Sequence, residues 1–453
     1  MEQQTFMKEK PILPLVLSMS LPMILSMMVS SLYNIIDSFF VAKISENAMT
    51  ALSLLFPMQN LINAVTIGFS IGINAVISFY LGAGKQKEAD TAASLGLLLN
   101  AAHGIFLTVF CVGVMPSFLG MFTNQPEVIH LGIRYSKIAF GFSVVIALAM
   151  AFEKIFQSVG KMSITMVSVL CGCVSNIILD PIFIFGLGPV PAMGIDGAAL
   201  ATGIGQTVSL FIYIAVFAVK PLPINLCFPR LSGEKTMAGK LYSIGIPAVL
   251  NLALPSLLTA SLNVILASFS QTYVLVLGAY YKLQTFLYLS ANGIIQGMRP
   301  LIGYNYGAGE QKRVQSIYKV CLLLAAGIMT AGTVLCQAIP SRLMSLFTSN
   351  GDTIAAGAFA LRVISMGFII SSVSIISCGA LEGLSKGLAS LVISLLRYVL
   401  VTIPAAWGLS RFMGAAGVWH GFWVSEAVTA VIAYCLIRQK GLGKTKNTAV
   451  HKT

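Results

Sequence analysis

The chain is a succession of long apolar blocks separated by short polar breaks. Cutting at the Gly, Pro and charged clusters leaves twelve blocks, at approximately 11 to 41, 49 to 80, 92 to 116, 129 to 156, 162 to 187, 194 to 219, 238 to 270, 275 to 304, 315 to 339, 354 to 381, 387 to 411 and 416 to 437. A helix needs about 20 predominantly apolar residues to cross the hydrocarbon core, whereas a soluble core needs only short amphipathic faces. The pattern therefore predicts an all-α polytopic membrane protein with twelve transmembrane helices. The stretch from Pro11 to Ala42 is too long for the apolar region of a cleaved signal peptide and reads as the first retained helix.

One long polar connector, Lys220 to Lys240, contains Pro221, Pro223, Pro229 and Gly233 and divides the blocks into two sets of six. The expected organisation is a first six-helix bundle over 1–219, a cytoplasmic linker over 220–237, a second bundle over 238–440 and a cytoplasmic tail over 441–453. The two sets are copies of one another. A shift of 225 residues places Pro22 on Pro247, Gln59 on Gln284, Gly68 on Gly293, Gly72 on Gly297, Gly132 on Gly357 and Lys161 on Lys386, without a gap. The same shift lays Gly82-Ala83-Gly84-Lys85-Gln86-Lys87 on Gly307-Ala308-Gly309-Glu310-Gln311-Lys312. A constant offset over such a length indicates duplication. With an even number of spans per copy, both enter the membrane in the same direction, as in transporters that rock one half against the other.

Composition agrees with this reading, because 57% of the 453 residues are hydrophobic and only 9% charged, against about 25% in a soluble domain. The net charge of +13 is scattered over short loops instead of forming a basic face with aromatics among it, which argues against a nucleic-acid partner. With both termini in the cytoplasm, 17 of the 28 basic residues fall on cytoplasmic segments, three (Lys43, Arg342, Arg411) fall outside, and eight lie in or beside spans. The charge is thus a topology signal of the positive-inside kind. The eight cysteines lie mainly in apolar blocks without CxxC spacing and read as small buried hydrophobes.

A charge at mid-membrane costs about 2.5 to 3.5 kcal/mol, so intramembrane ionisable groups are the functional candidates. Five acids qualify: Asp37, Glu153, Asp180, Glu382 and Glu426. Tyr33 with Asp37, and Asn176 with Asp180, are spaced i and i+4 and share a helix face. Both helices run outward, and each Asp lies about 10 Å from its outer end, so the carboxylates are at matching depth. Two carboxylates with an amide and a hydroxyl can bind Na⁺ through oxygen, at Asp37, Asn176 and Asp180, or hold a proton between them. Glu153 and Glu382 lie beside Lys154 and Lys386, near the cytoplasmic ends of their spans, where a rim ion pair is the simpler reading. Arg397 and Glu426 lie near mid-depth on consecutive spans and read equally well as a structural pair or as a substrate contact. Tyr33, Asn34, Met58, Gln59, Gln284, Gln296 and Arg299 are candidates for the wall of a substrate cavity. Pro22 and Pro247 remove a backbone hydrogen bond inside their helices and are expected to bend them. Gly82-Ala83-Gly84-Lys85 lacks P-loop spacing, and no catalytic constellation is present, so the chain is expected to be no enzyme and to draw its energy from an ion gradient.

Taken together, the twelve-span duplication, Ser20-Leu21-Pro22, the Gly82 turn with its copy at Gly307, Asn176 to Pro181, and Gly197-Ala198-Ala199-Leu200-Ala201-Thr202 resemble the multidrug and toxic compound extrusion (MATE) family over nearly the whole chain. The resemblance implies a V-shaped pair of six-helix bundles that exports cationic or amphipathic drugs in exchange for H⁺ or Na⁺. It further implies a cation site at Asp37, Asn176, Asp180 and Thr202. One branch of the family also uses a carboxylate in span seven, yet Ser243 to Ser270 contains no acid, which favours coupling through the first bundle alone. The expected partners are a small-molecule substrate and membrane lipid, with no cofactor beyond the coupling ion and with one chain as the working unit in the cell membrane. The rival reading is a flippase or exporter of a lipid-linked or oligosaccharide substrate, which calls for a strongly basic cavity.

Overall fold

The computed structural model describes residues 5–220, 222–227 and 235–442. Part of the expected linker (221 and 228–234) and all but the first two residues of the expected tail lie outside the described residues.

After a short α1 (Phe6–Glu9), the first half consists of α2 (Ile12–Ala42), α3 (Glu46–Gly82), α4 (Gln86–Gly120), α5 (Pro126–Ala139) continued through one 3₁₀ turn by α6 (Ser143–Ser158), α7 (Met162–Phe185) and α8 (Ile195–Val219). The second half consists of α9 (Lys235–Ala267), α10 (Gln271–Gly307), α11 (Gln311–Ala338) followed by the short α12 (Pro340–Ser345), α13 (Gly351–Ser365) with α14 (Phe368–Gly383), α15 (Gly387–Leu395) joined through a π turn to α16 (Thr402–Met413), and α17 (Ala415–Ile437). Ten of these helical stretches are long and apolar enough to span a membrane, and α13 with α14 forms an eleventh span bent by 55°. The remaining span, α10, has 37 residues but carries Lys282, Arg299 and several tyrosines and amides. Its polarity follows from its place at the centre of the molecule, packed against α2, α3 and α9. Pro22 and Pro247 lie inside unbroken helices. Across the break between Ser365 and Phe368 the chain bends by 55°.

The equivalent GAG turns follow from their second glycines, Gly84 at φ 71° and Gly309 at φ 76°, the left-handed region in which a side chain is disfavoured. At these turns, and for more than a helical turn into the membrane, the two halves are closed on each other. The closest approaches obey the repeat. A Cβ at Gly68 would stand 2.6 Å from the Val249 nitrogen, and one at Gly293 would stand 2.8 Å from the Cα of Ile24, the counterpart of Val249. Gly72 faces Leu241 and Gly245, and Gly297 faces Met19 and Ser20. Gly82 lies against the Tyr304 carbonyl, and Gly307 against that of Phe79. Glycine is used here because only a missing Cβ lets two backbones pack this closely.

Two chain segments cross between the halves at the same end. Before α2, Met7 is fully buried, and its carbonyl accepts from Asn305 Nδ2 and Arg313 Nε of the second half, each at 3.1 Å. Lys8 pairs with Glu310 at 3.0 Å. Before α9, the Pro223 carbonyl accepts from Gln86 at 2.8 Å, and the Asn225 and Cys227 amides donate to Asp90 and Ser94 of the first half at 2.9 and 3.0 Å.

Candidate functional site

Away from the closed end lie three cavities. The central one, about 950 Å³, lies between the parts of α3, α9 and α10 away from the closed end and is flanked by Arg397 and Glu426. A second, about 630 Å³, lies within the first half and contains Tyr33, Asn34, Asp37, Gln59, Tyr135 and Thr202. A third, about 400 Å³, is walled by α2, α6, α7, α8 and α10, with Glu153, Lys154 and Gln296 at its base.

The candidate cation residues converge between the last two first-half cavities. Gly172 and Gly205 let α7 and α8 approach closely, since a Cβ at Gly205 would stand 2.8 Å from the Gly172 carbonyl. This brings Thr202 to the Asn176–Asp180 face. In the orientation that satisfies both ends of its amide, Asn176 donates to Asp180 Oδ2 at 3.2 Å and accepts from the Thr202 amide at 3.1 Å. Asp180 is fully buried. Asp37, on α2, interacts electrostatically with Asp180, and its Oδ1 is buried without a hydrogen-bond partner. Tyr135, which feels both carboxylates, accepts from Gln59 Nε2 at 3.2 Å. The donor set is carboxylate, amide and hydroxyl oxygen, which suits a hard monovalent cation or a proton.

The remaining acids have different surroundings. Glu153 is paired with Lys154 at 2.7 Å, and both are buried, so the expected rim pair is an interior one. Lys154 also donates to Gln157 and to Gln296 of the second half, each at 3.0 Å. Glu382 is paired with Arg299 at 2.7 Å, not with Lys386, and it also accepts from Asn251 at 3.1 Å. Glu426 is paired with Arg397 at 2.6 Å.

Among the cavity candidates, Tyr33 and Asn34 line both first-half cavities, Gln59 the larger of these, Gln296 the smaller and Gln284 the central one. Arg299 and Met58 line none of the three: the guanidinium is turned onto Glu382, and Met58 packs on the Val41, Ala51 and Leu55 cluster. Sequence reasoning missed Gln157, an intramembrane amide that the 225-residue shift lays on Glu382 and that would have been found by following that acid back to the first half.

The MatE family model matches twice, at residues 22–182 and 247–407, with the second match displaced by the same 225 positions. The chain belongs to the MATE family. It is a multi-pass membrane transporter and not an enzyme. Among curated MATE relatives, the Multidrug export protein MepA of Staphylococcus aureus (strain MSSA476) is 24% identical over 437 residues, covering 96% of each chain. MepA of Staphylococcus haemolyticus (strain JCSC1435) is 25% identical, covering 96% of this chain and 95% of its own. Solved MATE folds superpose throughout. An outward-facing conformation of a multidrug resistance MATE transporter gives a TM-score of 0.89 at 22% identity, covering 97% of this chain and 98% of that one. A MOP superfamily transporter from Pyrococcus furiosus, described as having a binding pocket of reverse polarity, gives 0.89 at 22% identity, covering 96% and 97%. The MATE fold of twelve helices in two bundles is therefore that of this chain.

Proposed function

We propose that this MATE transporter exports amphipathic or cationic organic compounds in exchange for H⁺ or Na⁺ taken up at Asp37, Asn176, Asp180 and Thr202. One observation carries the reading. Of the five intramembrane acids, Glu153, Glu382 and Glu426 each hold their own Lys or Arg, whereas among the described residues Asp37 and Asp180 have no basic partner. A neutralised acid has little to gain from a cation, while an unpartnered buried carboxylate gains most from one. The multidrug export relatives support the drug-efflux part of the reading. A flippase for a phosphate-bearing lipid would need free bases in its cavity, and the two that line these cavities, Lys154 and Arg397, are each bound to a carboxylate.

With the termini in the cytoplasm, the closed end faces inward and the cavities face outward. Cation uptake then acts on α2, which bears Asp37 and packs on both α7 and α10. A cation drives export only by favouring a different conformation from the one the drug favours, and the coupling is reciprocal. The test is counterflow of a fluorescent cationic dye in proteoliposomes under separately imposed H⁺ and Na⁺ gradients. At least one gradient should drive dye movement in the wild type and fail to do so in Asp37→Asn. Movement indifferent to both gradients would overturn the reading.

A further inference from the structure

The wall of the central cavity contributed by the second half carries a cage whose elements are those of an organic-cation site. Glu426 supplies the carboxylate, and Tyr288 and Tyr398 supply rings. The cage is already filled. The Arg397 guanidinium lies 5.5 Å from the Tyr288 ring centre and 5.3 Å from that of Tyr398, and donates to Glu426 Oε1 through Nε at 2.8 Å and Nη2 at 2.6 Å. It also donates to the hydroxyls of Tyr288 at 2.7 Å and Tyr398 at 3.4 Å. Its carbonyl is held by Ser425 at 3.1 Å, and it stands on the π turn Leu396–Leu400, so the backbone as well as the head group is fixed.

The repeat shows this to be specific to one half. The counterpart of Arg397 in the first half is Gly172, and those of Asp37 and Asp180 in the second are Leu262 and Ala405; in the last helix of each half, where the N-caps Gly194 and Gly414 correspond, the offset is 220 and Glu426 falls on Gln206. In the first half the resident base is Lys154, held by Glu153, and Asp37 and Asp180 have no basic partner among the described residues; the second half has lost the counterparts of those two acids. Among the residues lining the central cavity, Arg397 and Glu426 are the only charged ones, and the polar remainder consists of amides and hydroxyls such as Gln284, Asn292 and Thr259.

We propose that Arg397 is a specificity-determining residue: by occupying the Glu426–Tyr288–Tyr398 cage it keeps the central cavity charge-balanced, so that this cavity receives neutral and zwitterionic aromatic amphiphiles and sends permanent cations to the acidic first-half cavity. This rests on the export reading above and refines its substrate class. A zwitterion meets both signs on one wall, its anion near the guanidinium and its cation near the carboxylate. A monocation meets a carboxylate whose charge is already compensated, and gains little there.

The test is equilibrium binding, by fluorescence anisotropy, of two dyes to the purified full-length protein in nanodiscs at neutral pH. The dyes are rhodamine 6G, a cationic ester, and the zwitterion obtained by hydrolysing that ester. All proteins carry Asp37→Asn, which removes the charge from the first-half cavity, and in that background the protein with Arg397 intact should bind the zwitterion at least as tightly as the ester. Arg397→Gln opens the cage and should tighten the ester by about tenfold, equivalent to about 1.4 kcal/mol, without tightening the zwitterion. In the double variant Arg397→Gln/Glu426→Gln the gain should vanish. Should Arg397→Gln fail to fold, Glu426→Gln, which leaves the guanidinium uncompensated, should weaken the ester and strengthen the zwitterion. Equal shifts for both dyes, or a gain that survives in the double variant, would overturn the proposal. Binding needs no gradient, so this pattern together with a wild type that moves no dye in proteoliposomes would refute export alone.

Discussion

Lys154 of the first half donates to Gln296 of the second at 3.0 Å, at the point where the closed end gives way to the cavities. Gln157 reaches the same Gln296 oxygen at 3.1 Å. One carboxamide thus receives two donors from across the interface, and this tie must break if the closed end is to open. Hydrogen bonds to a charged group contribute about 1.5 to 3 kcal/mol. Gln296→Leu should therefore open the closed end several-fold more often while the protein still folds, as read from cysteine accessibility or spin-label distances across α3 and α9. Lys154→Met should behave differently, since it leaves Glu153 buried and uncompensated at a cost of about 3 to 5 kcal/mol. Low yield and a depressed melting temperature are expected.

Asp37→Asn and Asp180→Asn each preserve size and remove charge, so both proteins should fold, bind dye and fail in gradient-driven efflux. If the two carboxylates act as one unit, the double variant should be little worse than either single one. Wild-type efflux by either single variant would remove the site from the coupling mechanism.

Gly68→Ala and Gly293→Ala place a methyl group against Val249 and Ile24 respectively. Overpacking of this kind costs about 1 to 3 kcal/mol. Because the two contacts are copies, the losses should be similar in size. Thermal unfolding in detergent measures the loss, and a difference of more than about twofold would mean that the interface is not symmetric in energy.

Ser385 has φ 59°, the one non-glycine residue with positive φ among the described residues, and the repeat aligns it with Gly160 at φ 78°. A left-handed residue with a side chain is strained by about 1 to 2 kcal/mol. Ser385→Gly should raise the melting temperature slightly, and a fall would show that the serine side chain compensates for the strain.

Cys227 is exposed in the segment before α9, and Cys435 is the only other exposed cysteine. In a Cys435→Ser background, a membrane-impermeant maleimide should label Cys227 in inside-out vesicles and not in intact cells. Labelling from outside would reverse the topology drawn from the Lys and Arg distribution.

The bundle architecture was legible in the sequence because apolar length and the repeat are properties of contiguous chain. Asn176 and Asp180 were legible for the same reason: four residues along one helix determine their shared face. The partners of the other acids were harder to see. Glu382 has Lys386 four residues away but bonds Arg299, 83 positions distant, because α10 and α14 pack together while Lys386 lies beyond the end of α14. Glu153 and Lys154 were visible as neighbours, but their burial depends on α10 lying over them. Arg397 and Glu426 were matched in depth, yet nothing along the chain announced that Tyr288 and Tyr398 would flank the guanidinium.

The glycine contacts at the closed end have the form of a meeting between two identical subunits. Gly68 touches Val249 while Gly293 touches Ile24, so at these glycines the first half contacts the second as its counterpart contacts the first, which is the signature of a twofold isologous interface. A single six-helix unit carrying these glycines would pair with a second copy of itself through the same surface. While the two copies were encoded once, any change in a cavity would have appeared on both sides. Joining them in one chain removed that restriction, and a pair of acids without a basic partner could be kept on one side while a resident guanidinium arose on the other, on a shared interface that still retains its twofold glycines.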